Sequence, residues 1–157
     1  MAKKKKDDHL KEVRNAKAYH NYFVGDKFEA GIKLTGPEVK SIRAGKGQIS
    51  EAFVRIDSDM VPKLYHAYID EFQFDSSGKH NPTRPRTLLL NKKEITRIKK
   101  EMEAGGQALI PTRLYFKQAL IKVEVALCKG KKLHDKRDTL KAKQQMREAD
   151  RYVSGRR

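Results

Sequence analysis

The side chains best suited to chemistry form a strip near the start of the sequence, Arg14-Asn-Ala-Lys-Ala-Tyr-His-Asn-Tyr-Phe23. Cations alternate there with rings and amides, and folded RNA offers a partner to each: phosphates for Arg14 and Lys17, splayed bases for the aromatic rings. Tyr22 and Phe23 equally suit the core face of a first strand, and the sequence does not divide the two roles. No catalytic constellation accompanies the strip. The five histidines are scattered, and there is no G-x-S-x-G elbow, no H-E-x-x-H and no paired-cysteine spacing. Asp70, Glu71 and Asp75 lack the spaced oxygens and the glycine of a calcium loop, so a solvated turn is expected. Arg43 to Gly47 is too short for a phosphate loop and follows a helical stretch instead of preceding one. A protein that binds without catalysing, with no cofactor and no metal, is expected.

Charge points to the same class of partner. Thirty-six Lys and Arg stand against 20 Asp and Glu in 157 residues, a formal net charge of +16 that attracts polyanions. No apolar run approaches the roughly 18 residues needed to span a bilayer, so no membrane partner is expected. The N-terminus opens on Lys3 to Lys6 without the apolar stretch of a secretion signal. The lone Cys128 ends an apolar alternating run, where a thiol behaves as a small buried hydrophobe, and a cytoplasmic location is expected.

These residues need a frame, and the pattern supplies one. Phe28, Ala30, Ile32 and Leu34 alternate with polar neighbours, as do Ala52, Val54 and Ile56, then Tyr65, Ala67 and Ile69, then Ile121, Val123, Val125 and Leu127. Arg86 to Leu90 and Leu109 to Lys117 bring the set to about six or seven strands, with Pro111 indicating an edge or a bulge. Thr35, Gly36 and Pro37 start a short helix that Gly45 stops, and Asn91 with Glu94 caps a second that Gly105 and Gly106 end. Two or three helices inserted among short antiparallel strands fit a closed barrel of the oligonucleotide-binding (OB) type, since closure removes exposed sheet edges. A sandwich fits the same pattern. The expected organisation is a flexible basic segment over 1–10, a barrel over 11–130 and a basic tail over 131–157. From residue 129 onward eleven Lys and Arg face four Asp and Glu among few large apolar residues, so the tail is expected to be disordered alone. Residues 138–152 hold good helix formers without Pro or Gly, so a helix on docking is expected there.

Five blocks in order resemble the signatures of the small protein B, or SsrA-binding protein, family. They are Asn15-Ala-Lys-Ala-Tyr-His-Asn-Tyr-Phe23, Phe28-Glu-Ala-Gly-Ile-Lys-Leu-Thr-Gly36, Glu38-Val-Lys-Ser-Ile-Arg-Ala-Gly-Lys46, Asn81-Pro-Thr-Arg-Pro-Arg-Thr-Leu-Leu-Leu90 and Gly130-Lys-Lys-Leu-His-Asp-Lys-Arg137. The resemblance runs from about Val13 to Asp138. It implies an OB-type barrel that binds the tRNA-like domain of transfer-messenger RNA (tmRNA), and a part in trans-translation, the rescue of ribosomes stalled on mRNA without a stop codon. The implied partners are tmRNA, the small-subunit decoding centre with its vacant mRNA channel, and elongation factor Tu with alanyl-tmRNA. The implied body contacts are Asn15, Lys17, Tyr22, Glu29 and Leu89; the implied tail contacts are Lys131, Lys132, His134, Asp135, Lys136 and Arg137. Tyr19 and Gly47-Gln48 depart from the family's pattern. The basic pattern without the resemblance fits a general single-strand RNA-binding or ribosomal protein with an OB fold.

Overall fold

A computed structural model describes residues 12–155, so the expectation for residues 1–10 lies outside the described residues. In chain order the elements are β1 (Val13–Arg14), α1 (Ala16–Asn21), β2 (Tyr22–Ile32), α2 (Gly36–Arg43), β3 (Gly47–Gln48), β4 (Phe53–Ile56), β5 (Pro62–Tyr65), β6 (Tyr68–Ile69), β7 (Arg86–Leu89), α3 (Lys92–Ala104), β8 (Gln107–Lys117), β9 (Leu120–Gly130) and α4 (Leu133–Ser154). The fold is mainly β with four helices. Seven strands form one antiparallel sheet in the order β1-β8-β4-β5-β7-β2-β9, and β9 also pairs with β8. Following the pairings from β8 through β4, β5, β7, β2 and β9 therefore returns to β8.

The period-two runs explain the core. Phe28 and Ala30 on β2 oppose Val125 and Val123 on β9, and Leu114 on β8 opposes Val123 from the other side. These inward residues pack with Val54, Leu64 and Leu88 from the shorter strands, with Ile42 of α2 and Ile98 of α3 closing the cluster. Cys128 is fully buried in a second, smaller cluster with Ala18, Ile110 and Ala126, and burial pushes its thiol pKa up to about 11.

Two bulges shape the sheet. The β8–β9 register shifts between Pro111 and Arg113, where the sequence places its proline. The β2–β9 register shifts between Val24 and Lys27, and there a Cβ on Gly25 would fall 2.8 Å from the carbonyl oxygen of Leu127. Backbone cannot yield as a flexible side chain does, so Gly25→Ala should cost about 1–3 kcal/mol. A melting temperature within about 1 °C of the parent would contradict that close approach.

The helix caps are read correctly by the sequence. The Thr35 N–H donates to Glu38 at 3.1 Å and the Asn91 N–H to Glu94 at 3.2 Å. Ile95 and Ile98 are buried on one face of α3, and Gly105 follows with φ of +136°, a left-handed conformation that suits glycine. Two expectations are corrected, a single strand through Tyr65, Ala67 and Ile69 and a tail disordered alone. The stretch Tyr65, Ala67, Ile69 is not one strand: His66 adopts φ of +59°, and the Ala67 carbonyl accepts from the Arg86 guanidinium at 2.6 Å instead of joining a ladder. The strip after Arg14 is mostly the helix α1, capped by Asn15, and Tyr22 and Phe23 open β2. The tail is a 22-residue helix with no buried side chain, where disorder in isolation was expected. The disorder expectation rested on the lack of tertiary burial, with a helix over 138–152 expected only on docking. Local terms act the other way: the Asp135 carboxylate accepts from the Lys132 N–H at 3.1 Å at the N-terminus, and no Pro or Gly interrupts the helix.

Candidate nucleic-acid interface

Alternation along β2 decides which side chains meet solvent. Since Phe28 and Ala30 point into the core, Lys27, Glu29 and Gly31 point outward. The register sets Glu29 opposite Glu124 on β9, and Glu124 opposite Arg113 on β8. Two carboxylates side by side repel, and cations and a phenol neutralise them. Glu124 is bridged by Lys27 at 3.1 Å and by the Arg113 guanidinium. Glu29 accepts from the Tyr115 hydroxyl and from Lys117 at 3.1 Å. These bonds hold the Glu29 pKa below the ordinary carboxylate range. Burial and the bond to Glu29 push the Tyr115 pKa up to about 12. The Arg113 guanidinium lies 4.4 Å from the Tyr115 ring centroid, which adds a cation–π contact to the row.

Leu89 joins this face. It opposes Gly31 across β2 and β7 and is 52% exposed, while its neighbour Leu88 is buried, so Leu89 is not a core residue. A Cβ on Gly31 would meet the Leu89 Cβ at 3.2 Å, so the glycine gives the leucine room to lie flat on the sheet.

Asn15 is 2% exposed. Its amide nitrogen donates to the carbonyls of Pro111 at 2.8 Å and Ile49 at 3.1 Å, and its oxygen accepts from the Ala18 N–H at 3.1 Å. It therefore pins α1 to the β8 bulge and shapes the surface from beneath. Lys17 pairs with Glu51, and Tyr22 is half-buried beside the Cys128 cluster; together with Asn15 they line a hollow beside Phe53. Phe23, which suited a core face by sequence, is 51% exposed with the Lys131 ammonium 5.1 Å from its ring centroid. The structure thus gathers Glu29 and Leu89 on one outer face and Lys17 and Tyr22 around α1, with Asn15 underneath.

The tail residues begin at the other end of α1. The Lys131 ammonium donates to the Tyr19 carbonyl and to Thr139 Oγ1, both at 3.0 Å, and its backbone N–H donates to the Asn21 carbonyl at 2.9 Å. Lys132, His134 and Arg137 are exposed, and Lys136 is half-buried. His134 lies 3.1 Å from the Asp135 carboxylate, which also caps the helix. Beyond Thr139 every described side chain of α4 is exposed, Leu140 included at 53%.

Sequence reasoning missed the outward row of Arg113, Tyr115, Lys117 and Glu124. Their signal was the polar half of the same alternation that revealed the core half. Among the described residues no group of three or more His, Cys, Asp or Glu side chains is arranged to hold a metal ion, and no helix is long and apolar enough to cross a membrane.

Comparison with known proteins agrees with the sequence resemblance. The family model described as "SmpB protein" matches residues 12–155. An SsrA-binding protein of Shouchella clausii is 44% identical over 144 residues, 92% of each chain. One from Bifidobacterium longum is 45% identical over 141 residues, covering 90% of this chain and 89% of its own. A solved structure reported under the words "tmRNA-SmpB: a journey to the center of the bacterial ribosome" is similar at a TM-score of 0.66 and 36% identity, over 82% of this chain and 94% of that one. With the matched model spanning nearly the whole length and relatives this similar along it, the chain belongs to the SmpB family.

Proposed function

We propose that this chain binds the tRNA-like domain of tmRNA through its folded body and carries its basic helix into the decoding centre and vacant mRNA channel of a stalled ribosome, so that trans-translation can proceed. The observation that carries this reading is the division of the molecule. A packed body displays Glu29 and Leu89 on one outer face of β2, and a basic helix with no buried side chain projects from it. The pairings that return to β8 support a closed barrel of the OB type, a rigid platform for an RNA surface. Glu29, kept ionised by Tyr115 and Lys117, is suited to accept from a base edge, not to meet a phosphate. Leu89 offers apolar area for a base or sugar, and Lys17 a phosphate contact. Asn15 and Tyr22 act by holding α1. The Lys132, His134, Lys136 and Arg137 side chains follow ribosomal RNA, with His134 free to stack. The body fills the place of an anticodon stem, the complex arrives with elongation factor Tu and alanyl-tmRNA in the cytoplasm, and the protein itself does no covalent chemistry.

Binding measured against competitors tests this. The full-length protein should hold a tRNA-like-domain transcript at least tenfold more tightly than bulk tRNA or poly-pyrimidine at near-physiological salt, and affinity should fall steeply as salt rises because phosphate neutralisation releases counterions. Equal competition by bulk tRNA would refute it. Glu29→Ala with Leu89→Ala should lower affinity about tenfold or more while leaving the melting temperature near the parent's, since both side chains are largely outside the core.

A further inference from the structure

Between α1 and the outer face of β8 and β9 lies a cavity of about 550 Å³ lined by Arg14, Tyr19, Lys27, Arg113 and Glu124. That size falls within the range of small-molecule sites. We propose that this cavity holds one unstacked guanine base of the bound RNA, with the Glu124 carboxylate reading the base's Watson–Crick edge; the inference rests on the RNA-binding reading above and names a nucleotide for it.

Glu124 is the most buried charged group of the lining, its side chain 12% exposed. Burial alone would raise its pKa, yet hydrogen bonds from Arg113 and Lys27 hold it below the ordinary carboxylate range. It is therefore an ionised, acceptor-only group. A carboxylate offers about four lone-pair sites; the two cations each take one, and those left suit two parallel donors. Guanine alone among the RNA bases presents adjacent donors, N1–H and the exocyclic amino group, on that edge. Adenine and cytosine set an acceptor beside a donor, and uracil flanks its N–H with carbonyls, so an ionised carboxylate repels each of them.

The walls suit the rest of a nucleotide. Tyr19 is 49% exposed, and its hydroxyl accepts from Lys27 at 2.9 Å, which fixes the ring at the cavity and leaves it open for stacking. Arg14, whose side chain is 79% exposed, and Arg113, 40% exposed, lie nearer solvent and share Glu12 at 3.1 and 3.0 Å. Charge is thus graded from a carboxylate within to guanidinium groups outside, which keeps phosphate at the rim and admits the base. A purely structural ion pair clipping β2, β9 and β8 together accounts for Lys27, Glu124 and Arg113 but not for the open cavity or the half-exposed tyrosine beside them.

Inosine, which lacks the exocyclic amino group, tests this without touching the protein. Tight binders would be separated from weak ones among tRNA-like-domain transcripts in which inosine replaces guanosine at scattered positions. With the full-length parent, inosine at one position should weaken binding about tenfold. Glu124→Gln, and independently Tyr19→Ala at an exposed site that folding tolerates, should each weaken the unsubstituted RNA about tenfold and erase the inosine effect at that position. Parent-like affinity in Tyr19→Ala and Glu124→Gln, or an inosine effect that persists in both, overturns the guanine site. A parent protein with no preference for the tRNA-like domain over bulk tRNA overturns the RNA-binding reading itself, a result distinct from a preference that survives both substitutions.

Discussion

Glu38→Ala should lower the melting temperature by roughly 6–20 °C, the largest effect expected of any single substitution in the body. Glu38 and Arg86 are 1% and 0% exposed. Arg86 donates to Glu38 Oε1 through Nε at 3.2 Å and Nη2 at 3.1 Å, and to the carbonyls of Ala67 at 2.6 Å and Pro82 at 3.1 Å. Arg84 adds a two-pronged pair to the same carboxylate, both bonds at 2.7 Å. The cluster ties α2 to β7 and to the loop before it. Removing the carboxylate leaves a buried guanidinium with carbonyl dipoles alone to offset its charge, a loss of about 3–5 kcal/mol, and a chain of this length shifts by about 2–4 °C per kcal/mol. Arg84→Ala should cost far less, because that side chain is 35% exposed and the pair it leaves keeps Arg86. Replacing Glu38 and Arg86 together by Met should recover much of the loss, since no unpaired charge then remains. Equal melting temperatures for parent and Glu38→Ala would show that the cluster contributes nothing.

The same carboxylate gives a pH signature. Burial pushes the Glu38 pKa up, but the bonds from Arg84, the Thr35 N–H and Arg86 outweigh it and leave the folded value below the ordinary 4.5. A depressed folded pKa means the contribution is complete above about 4.5 and is lost as pH falls through the lower folded value. The melting temperature of Glu38→Gln should therefore fall less steeply than the parent's below pH 4.5, and parallel curves would count against the assignment.

Little of that cluster was legible in advance, and the reason is physical. Glu38 was visible as the third residue of a helix after Thr35, and Arg86 as the start of a strand, because caps and alternation are local. Their meeting spans 48 residues and depends on how α2 lies over the sheet, which no local period encodes. The bulge at Pro111 was legible because proline removes a ladder donor. What could not be read was that Asn15 fills the bulge from the far side of the chain, 96 residues away. Asn15 was singled out as an RNA contact from family resemblance, whereas its buried amide does packing work that the strip's composition conceals. At Leu89 the structure reverses the plainer reading. A run of three leucines suggests core, yet the period of two puts Leu88 and the half-buried Leu90 inward and leaves Leu89 on the face with Glu29. For α4 the missing quantity was the balance of caps and propensity against burial, which composition alone misjudges.

Removing residues 131–157 should leave affinity for the tRNA-like domain within a few-fold of the parent's while peptide tagging of stalled ribosomes falls to background. The cut takes ten Lys and Arg and four Asp and Glu, so the net charge drops from +16 to +10. Long-range attraction weakens accordingly, which lowers the association rate at low salt most and fades within about 8–10 Å at physiological salt. The packed body loses little else. Gly130 still ends β9 opposite Tyr22, and the carbonyls of Tyr19 and Asn21 that Lys131 occupied can take water instead. No buried side chain departs with α4, so the core and the outer row of Glu29, Tyr115 and Lys117 stay in place. Tagging, by contrast, needs a cationic segment long enough to follow a vacant channel: 22 helical residues span about 33 Å at 1.5 Å each, and the truncated body has nothing of that reach. Loss of RNA affinity as complete as the loss of tagging would mean that α4 belongs to the tmRNA site, and the division of labour between body and helix would have to be abandoned.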